Sequence, residues 1–130
     1  MLKIIIAAGP VIVENNKVLL NKHGDDGFWK FCGGRLEDFE SDVKDAAKRE
    51  VKEEMGLEIE ILDEQPYFFY TEKELDGASV SVILVHFLAK RVNEIVPGKD
   101  IKEWRWINLA DLDKENLAPN IKPALKHFGF

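Results

Sequence analysis

Three glutamates stand close together in residues 43–55, a segment whose pattern is otherwise that of an amphipathic helix. Glu50, Glu53 and Glu54 are spaced i, i+3 and i+4, so they project from one face, with Glu54 about 40° round the helix axis from Glu50. Three small or apolar residues fall within roughly 60° of Glu50, and three lysines form the opposite stripe: Val43, Ala46 and Ala47, and Lys44, Lys48 and Lys52. The carboxylates are therefore predicted to face the protein.

Two interpretations of these glutamates compete. A charge-rich helix is most often a solvated surface helix, and that interpretation is acceptable for Glu53 taken alone. It is poor for Glu50 and Glu54, because clustered carboxylates beside an apolar stripe repel one another and lose hydration unless a cation compensates them. Oxygen ligands of this kind suit Mg²⁺, with Mn²⁺ as the alternative, whereas zinc would prefer His or Cys. A magnesium site in turn usually implies a phosphate substrate.

Composition restricts the class of protein. With 130 residues and 45% hydrophobic content, residues 1–130 are predicted to form a single domain. The net charge of −6 disfavours stable nucleic-acid binding but is compatible with a small nucleotide bridged by metal. Cys32 is the sole cysteine, no signal pattern opens the chain, and the apolar run 4–13 is too short to span a bilayer. We expect a cytoplasmic protein without membrane contact, with a monomer and a homodimer both open.

Hydrophobic alternation and turn residues predict the elements. Strands are expected over 2–13, 18–21, 59–70, 80–88 and 104–107, with turns at 14–17 and 72–77 and a bulge or sheet edge at Gly9-Pro10. A helix should begin after Ser41 as N-cap, with Asp42 in its first turn, and end at Gly56, followed later by a helical turn at 109–112 and a helix over 121–128. The prediction is an α/β fold, a sandwich with a mixed β-sheet and helices on both faces.

The glutamate segment resembles a known motif. Arg49 to Leu57, REVKEEMGL, is similar to the second half of the Nudix box, G-x5-E-x7-R-E-U-x-E-E-x-G-U with U aliphatic, and residues 34–40 fit G-x5-E. Eight residues rather than seven lie between Glu40 and Arg49, and the extra one is expected in the loop or first turn. Cys32 stands where the family commonly has proline, as a small buried filler. The chain resembles MutT-like nucleoside triphosphate pyrophosphohydrolases, which implies a Nudix-type α/β/α sandwich.

This resemblance implies roles for the box residues. Glu50, Glu53 and Glu54, with the Gly33 carbonyl, would hold Mg²⁺ at the substrate's diphosphate, beside the water that attacks phosphorus. Arg49 would orient Glu53 at i, i+4, the alternative being a plain surface pair. The general base would be Glu53, Glu54 or Glu103, since Glu103 resembles the acid that some members supply from a later loop.

The resemblance also implies how substrate is held. Arg35 and Lys22 are the candidate phosphate-binding cations. Asn120 resembles an asparagine that reads a purine, for which an amide offers both a donor and an acceptor. Stacking on a base competes with core packing for three aromatic residues: Phe28, Phe68 and Trp104.

Three activities remain open at this point. The first is a nucleoside triphosphate pyrophosphohydrolase that releases monophosphate and pyrophosphate. The second is a pyrophosphatase acting on ADP-ribose or a dinucleoside polyphosphate. The third is a non-catalytic, nucleotide-binding regulatory module, which is disfavoured because all three metal-binding glutamates are present.

Overall fold

The computed structural model describes residues 3–37 and 42–130 and consists of a mixed sheet with helices on both faces. Its strands are β1 (Ile4–Glu14), β2 (Lys17–His23), β3 (Gly34–Arg35), β4 (Ile59–Ile61), β5 (Tyr67–Leu75), β6 (Ala78–Arg91) and β7 (Ile101–Asn108). Helices α1 (Val43–Met55) and α2 (Ile121–His127) and a 3₁₀ helix (Leu109–Lys114) complete the order. No helix in these two ranges combines the length and apolar character needed to cross a membrane.

Two-residue turns close both hairpins. Asn15 and Asn16 have φ of 51° and 62°, and Asp76 and Gly77 have φ of 53° and 79°, as expected for tight hairpin turns. The first turn is confirmed. The second is shorter than the predicted turn over 72–77, because residues 72–75 pair with 78–81 and extend both strands.

Strand β1 lies inside the sheet. It pairs in parallel with β6 from Ile4 to Ile12, and its other side meets β3 only at Ala7–Ala8 and β2 only at Val13–Glu14. The predicted bulge at Gly9-Pro10 is wrong, because the pairing with β6 runs through both residues without a shift, and the predicted sheet edge is present only as a local gap on the other side of this inner strand. Pro10 is tolerated because it lies in the gap between the β3 and β2 pairings, where a missing N–H interrupts no ladder. Gly9 serves a close backbone approach, since a Cβ there would lie 1.9 Å from the Cys32 carbonyl oxygen.

Alternation along the strands separates two apolar layers. Leu19 packs with Val51 and Met55 of α1, whereas Val18 and Leu20 face the opposite layer, which α2 covers. The α2 layer contains several fully buried residues, among them Trp29, Ile121 and Ala124. Helices on both faces of a mixed sheet confirm the predicted α/β sandwich.

The ends of α1 are defined by local chemistry. Asp42 is the N-cap, and its side chain accepts a hydrogen bond from the Lys44 N–H at 2.8 Å. Gly56 adopts φ of 64° and ends the helix as predicted. Ser41, predicted as the N-cap, and Glu40 of the box lie outside the described residues. Because α1 is continuous from Val43, the extra residue of the box does not interrupt the helix or rotate its glutamates relative to its apolar face.

Candidate active site

The glutamates of α1 open onto a cleft of about 480 Å³. Three other segments complete its walls: the end of β2, the β3 segment and the loop before β7. The lining residues are His23, Gly33, Gly34, Arg35, Glu50, Glu53, Glu54, Gly98, Lys99, Asp100 and Ile101. The structure thus brings together the four predicted metal-binding residues and Arg35.

Glu54 is the most buried of the three glutamates, at 8% exposure. Its Oε1 accepts a hydrogen bond from the Gly33 N–H at 2.6 Å, and its Oε2 contacts His23 Nε2. That contact is the main cause that raises the pKa of His23 above its usual value, against the opposing effect of burial. The structure therefore compensates this buried carboxylate with an imidazole and a backbone donor.

Arg49 connects the other two glutamates to β3. Its Nη1 lies 2.9 Å from Glu50 Oε1 and 3.2 Å from Glu53 Oε2, and its Nη2 donates to the Arg35 carbonyl at 3.1 Å. The predicted contact with Glu53 is present. Burial raises the pKa of Glu50, opposed by the charge of Arg49. The Arg49 side chain is only 20% exposed, so its contact with Glu53 is not a plain surface ion pair.

The residues of the cleft fit a hard divalent cation in their chemistry. Across residues 3–37 and 42–130, no three His, Cys, Asp or Glu side chains are grouped closely enough to hold a metal as they stand, and the carboxylates contact Arg49 and His23. Glu54 Oε2, however, is buried and lacks a hydrogen bond of good geometry to any residue that the structure describes. Gly34 lets the Glu50 carboxylate lie against the backbone, since a Cβ there would lie 2.3 Å from Glu50 Oε2. A cation would take the place of His23 at Glu54 Oε2 and would bind the oxygens of Glu50 and Glu53 that Arg49 does not contact.

A second cavity, of about 400 Å³, adjoins the acidic cleft. Gly33, Gly34 and Arg35 line both spaces and form their common wall. Beyond that wall the second cavity is largely apolar, with aromatic residues and two buried polar side chains. Its lining includes Phe28, Phe31, Phe69, Leu84, His86 and Asn120. Such a cavity, apolar with a few polar groups, is typical of a small-molecule site.

Its two buried polar side chains contact each other. Asn120 Nδ2 lies 2.8 Å from His86 Nε2, and the residues are 4% and 5% exposed. Burial lowers the pKa of His86 to about 4, so its ring is neutral at pH 7. His86 Nδ1 has no hydrogen-bond partner of good geometry in the described part of the chain.

Comparison with known proteins identifies the family. The family model of the NUDIX domain matches residues 4–128. The chain belongs to the NUDIX domain family. It is 25% identical over 129 residues to the nucleoside triphosphatase NudI of Escherichia coli, covering 90% of this chain and 91% of NudI.

Solved structures share the fold. A MutT NUDIX hydrolase from Burkholderia pseudomallei superposes with a TM-score of 0.76 at 22% identity, covering 95% of this chain and 97% of that one. An Ap4A hydrolase from Caenorhabditis elegans gives a TM-score of 0.74 at 23% identity, covering 95% and 94%. This chain is a Nudix hydrolase, a pyrophosphohydrolase of a family that generally uses a divalent metal.

Four predicted site residues lie elsewhere in this Nudix fold. Lys22 is 3.5 Å from Glu103 and 4.5 Å from the ring centre of Trp29, so these two charged residues face each other across β2 and β7. Phe68 and Trp104 are 62% and 38% exposed, and they do not line either cavity. Phe68 pairs with Val85, which belongs to the α1 layer, so it lies on the other face of the sheet.

Other residues reach the Nudix site without having been predicted. Lys99 and Asp100 line the cleft from the loop before β7, and that loop is anchored on α1 because the Gly98 N–H donates to the Glu54 carbonyl at 2.7 Å. The Pro97-Gly98 pair was the available signal for a sharp turn there. No local sequence pattern predicted that His23 and His86 would reach the site, because the position of each depends on pairing between strands far apart in sequence.

Gly34→Ala is expected to lower kcat about 10-fold with little loss of stability. The new Cβ would collide with the Glu50 carboxylate, the free end of a flexible side chain, so the glutamate would move rather than the backbone. Kinetics and thermal unfolding of the same preparation test this. A large fall in melting temperature together with the fall in kcat would contradict the placement of Glu50 beside Gly34.

His86 is expected to make stability depend on pH. The pKa of His86 is about 4 in the folded protein and 6.5 in the unfolded chain. Between these pH values the unfolded chain binds more protons than the folded protein. The free energy of unfolding therefore falls as the pH falls from 6.5 to 4. The contribution is roughly 2–3 kcal/mol. Unfolding titrations at pH 4.5 and 7.5 should show a smaller difference in His86→Gln, which cannot titrate. An equal difference in both proteins would refute the assignment.

Proposed function

We propose that this Nudix hydrolase is a Mg²⁺-dependent nucleoside triphosphate pyrophosphohydrolase that cleaves between the α and β phosphorus atoms. The products are a nucleoside monophosphate and pyrophosphate. The observation that carries the proposal is the wall of Gly33, Gly34 and Arg35 shared by the apolar cavity and the acidic cleft. A base in the cavity would direct its phosphates across this wall toward the glutamates.

The metal would be held by Glu50, Glu53, Glu54 and the Gly33 carbonyl. When bound, the ion would supply charge neutralisation on the phosphate oxygens and lower the pKa of the attacking water. Arg49 positions two of these carboxylates by the contacts described above. Mn²⁺ has the same preference for oxygen ligands and is the natural substitute in assays.

The remaining charges of the cleft have separate roles in this proposal. Arg35 and Lys99 bind phosphate oxygens, with Lys99 taking the role first expected of Lys22. The proton of the attacking water passes to Glu53, Glu54 or Asp100. Asp100 takes the place of Glu103 among the candidates, because Asp100 lines the cleft whereas Glu103 faces Lys22.

The relative NudI supports a triphosphate as substrate, since it is described as a nucleoside triphosphatase. The likeness to the Ap4A hydrolase of Caenorhabditis elegans concerns the fold alone. Dinucleoside polyphosphates and ADP-ribose are therefore the competing substrates that an assay must include.

The test is a hydrolysis panel with Mg²⁺ that covers canonical and oxidised nucleoside triphosphates, ADP-ribose and diadenosine polyphosphates, with products separated. Monophosphate and pyrophosphate from a triphosphate are expected. Turnover of ADP-ribose or a dinucleotide alone would replace the proposal with the second activity. Nucleotide binding without any turnover would favour a regulatory module. Parallel reactions with Glu54→Gln exclude a contaminating hydrolase.

A further inference from the structure

We propose that His86 is a positioning residue that fixes the amide of Asn120, so that the apolar cavity selects nucleotides whose base presents an N–H donor to Asn120 Oδ1. The inference rests on the proposed function, because it takes this cavity as the base site. It adds to that function a residue that determines specificity and the hydrogen-bonding class of base.

The first observation is that Asn120 occupies the N-cap position of α2 without capping it. Its side chain makes no hydrogen bond to the first turn, although asparagine is among the preferred N-cap residues. Its Nδ2 lies instead 2.8 Å from His86 Nε2, within the lining of the cavity. The amide is thus held by the sheet rather than by its own helix.

The second observation concerns which end of the amide faces His86. A neutral imidazole has one donor and one acceptor nitrogen, and burial lowers the pKa of His86 to about 4. Asn120 Nδ2 can only donate, and it faces Nε2 at 2.8 Å, so Nε2 is the acceptor nitrogen of the neutral ring. The proton of the neutral ring is therefore assigned to Nδ1.

The ring itself is fixed in place. His86 is 5% exposed, lies on the inner strand β6 opposite Gly9, and packs against Phe31 with ring centres 4.8 Å apart. A ring held in this way keeps the amide in one orientation. Within the described residues, Asn120 Oδ1 has no other partner, so it remains an acceptor for the ligand.

A base that offers no donor would leave this acceptor unpaired in a mostly apolar space. Sites that hydrogen-bond a substrate group discriminate strongly against analogues that lack it. We expect the loss to be roughly 10- to 100-fold in kcat/KM, expressed mainly in KM because the contact is remote from the reacting phosphorus.

The experiment compares matched pairs of triphosphates that differ by the donor. ATP is paired with purine riboside triphosphate, CTP with pyrimidin-2-one riboside triphosphate, and UTP with its N3-methyl derivative. Guanine has two donors, so GTP is compared both with its N1-methyl derivative, which lacks N1–H, and with ITP, which lacks the 2-amino group. The wild-type protein should discriminate within the pair of its preferred base. His86→Phe, which keeps a ring of similar size but cannot accept from Asn120, should lose that discrimination. His86→Gln, whose amide oxygen can accept, should retain it.

Asn120→Leu supplies a test that does not depend on the folding of His86→Phe. It should also abolish the discrimination, and adding His86→Gln to it should change nothing further, because His86 acts through Asn120. Equal use of both members of a pair by the wild-type protein would overturn the inference, as would discrimination that survives in Asn120→Leu.

Failure of the proposed function is distinguishable from failure of this inference. If the wild-type protein hydrolyses no triphosphate, the proposed function falls, and dissociation constants of the same pairs then test His86 directly by calorimetry. Discrimination in binding that disappears in Asn120→Leu would sustain the inference. Equal binding within every pair would overturn it.

Discussion

Glu54→Gln is expected to lower kcat by roughly 10²- to 10³-fold while the fold persists. The glutamine keeps an oxygen that can accept from the Gly33 N–H, so the local packing is retained. It removes the charge of the most buried of the three glutamates, whose Oε2 contacts His23 and has no hydrogen bond of good geometry within residues 3–37 and 42–130. Steady-state kinetics with saturating Mg²⁺ measures the effect.

The matched control is Glu58→Gln, which removes one charge from an exposed glutamate whose side chain, among the described residues, pairs only with Lys52. It should leave kcat unchanged. A second readout is the rise in melting temperature on adding Mg²⁺, which Glu54→Gln should lose and Glu58→Gln should keep. Near wild-type turnover in Glu54→Gln would refute the placement of the metal at this carboxylate.

Gly9→Ala is expected to destabilise the protein by about 4 kcal/mol or more, an exceptional cost for one methyl group. The new Cβ would lie 1.9 Å from the Cys32 carbonyl oxygen and 2.9 Å from the Gly33 Cα. Both are backbone atoms, on the segment that leads into the shared wall, and Gly9 itself lies in an inner strand. Neither β1 nor the Cys32-Gly33 backbone can move apart to make space without displacing the sheet or the site.

Gly27→Ala is the control, because a Cβ there meets no atom of the described part of the chain within 4 Å and its φ is not in the left-handed region. It should unfold at nearly the wild-type denaturant concentration, whereas Gly9→Ala should unfold much earlier or fail to fold. Denaturant unfolding of the two variants in parallel decides the matter. Similar midpoints would contradict the close crossing of β1 by the Cys32-Gly33 segment.

Local chemistry allowed much of this fold to be predicted. The end of α1 at Gly56 follows from glycine's tolerance of positive φ, and the direction of Glu50 and Glu54 follows from helical spacing. The Asn15-Asn16 turn was predictable for the same kind of reason. Each of these features depends on residues near one another in sequence.

The rest of the site depends on tertiary pairing. From the sequence, Pro10 predicted an edge or a bulge in β1. Its actual place, in a gap between two short pairings on one side of the strand, could not be inferred from that strand alone. Asp100 precedes β7 and lines the cleft, whereas Glu103 lies within β7 and faces Lys22. No local sequence rule specifies which of these two acids reaches the cleft. The contact of His23 with Glu54 likewise joins segments 31 residues apart.

The wall common to the two cavities bears on how proteins of this design can diverge. Gly33, Gly34 and Arg35 serve both spaces, whereas Phe69, Thr71 and Leu84 line only the apolar one. Substitutions on β5 and β6 can therefore accumulate without touching the groups that act on phosphate. Duplicated copies of such a chain would keep one reaction while each came to serve a different pool of nucleotides.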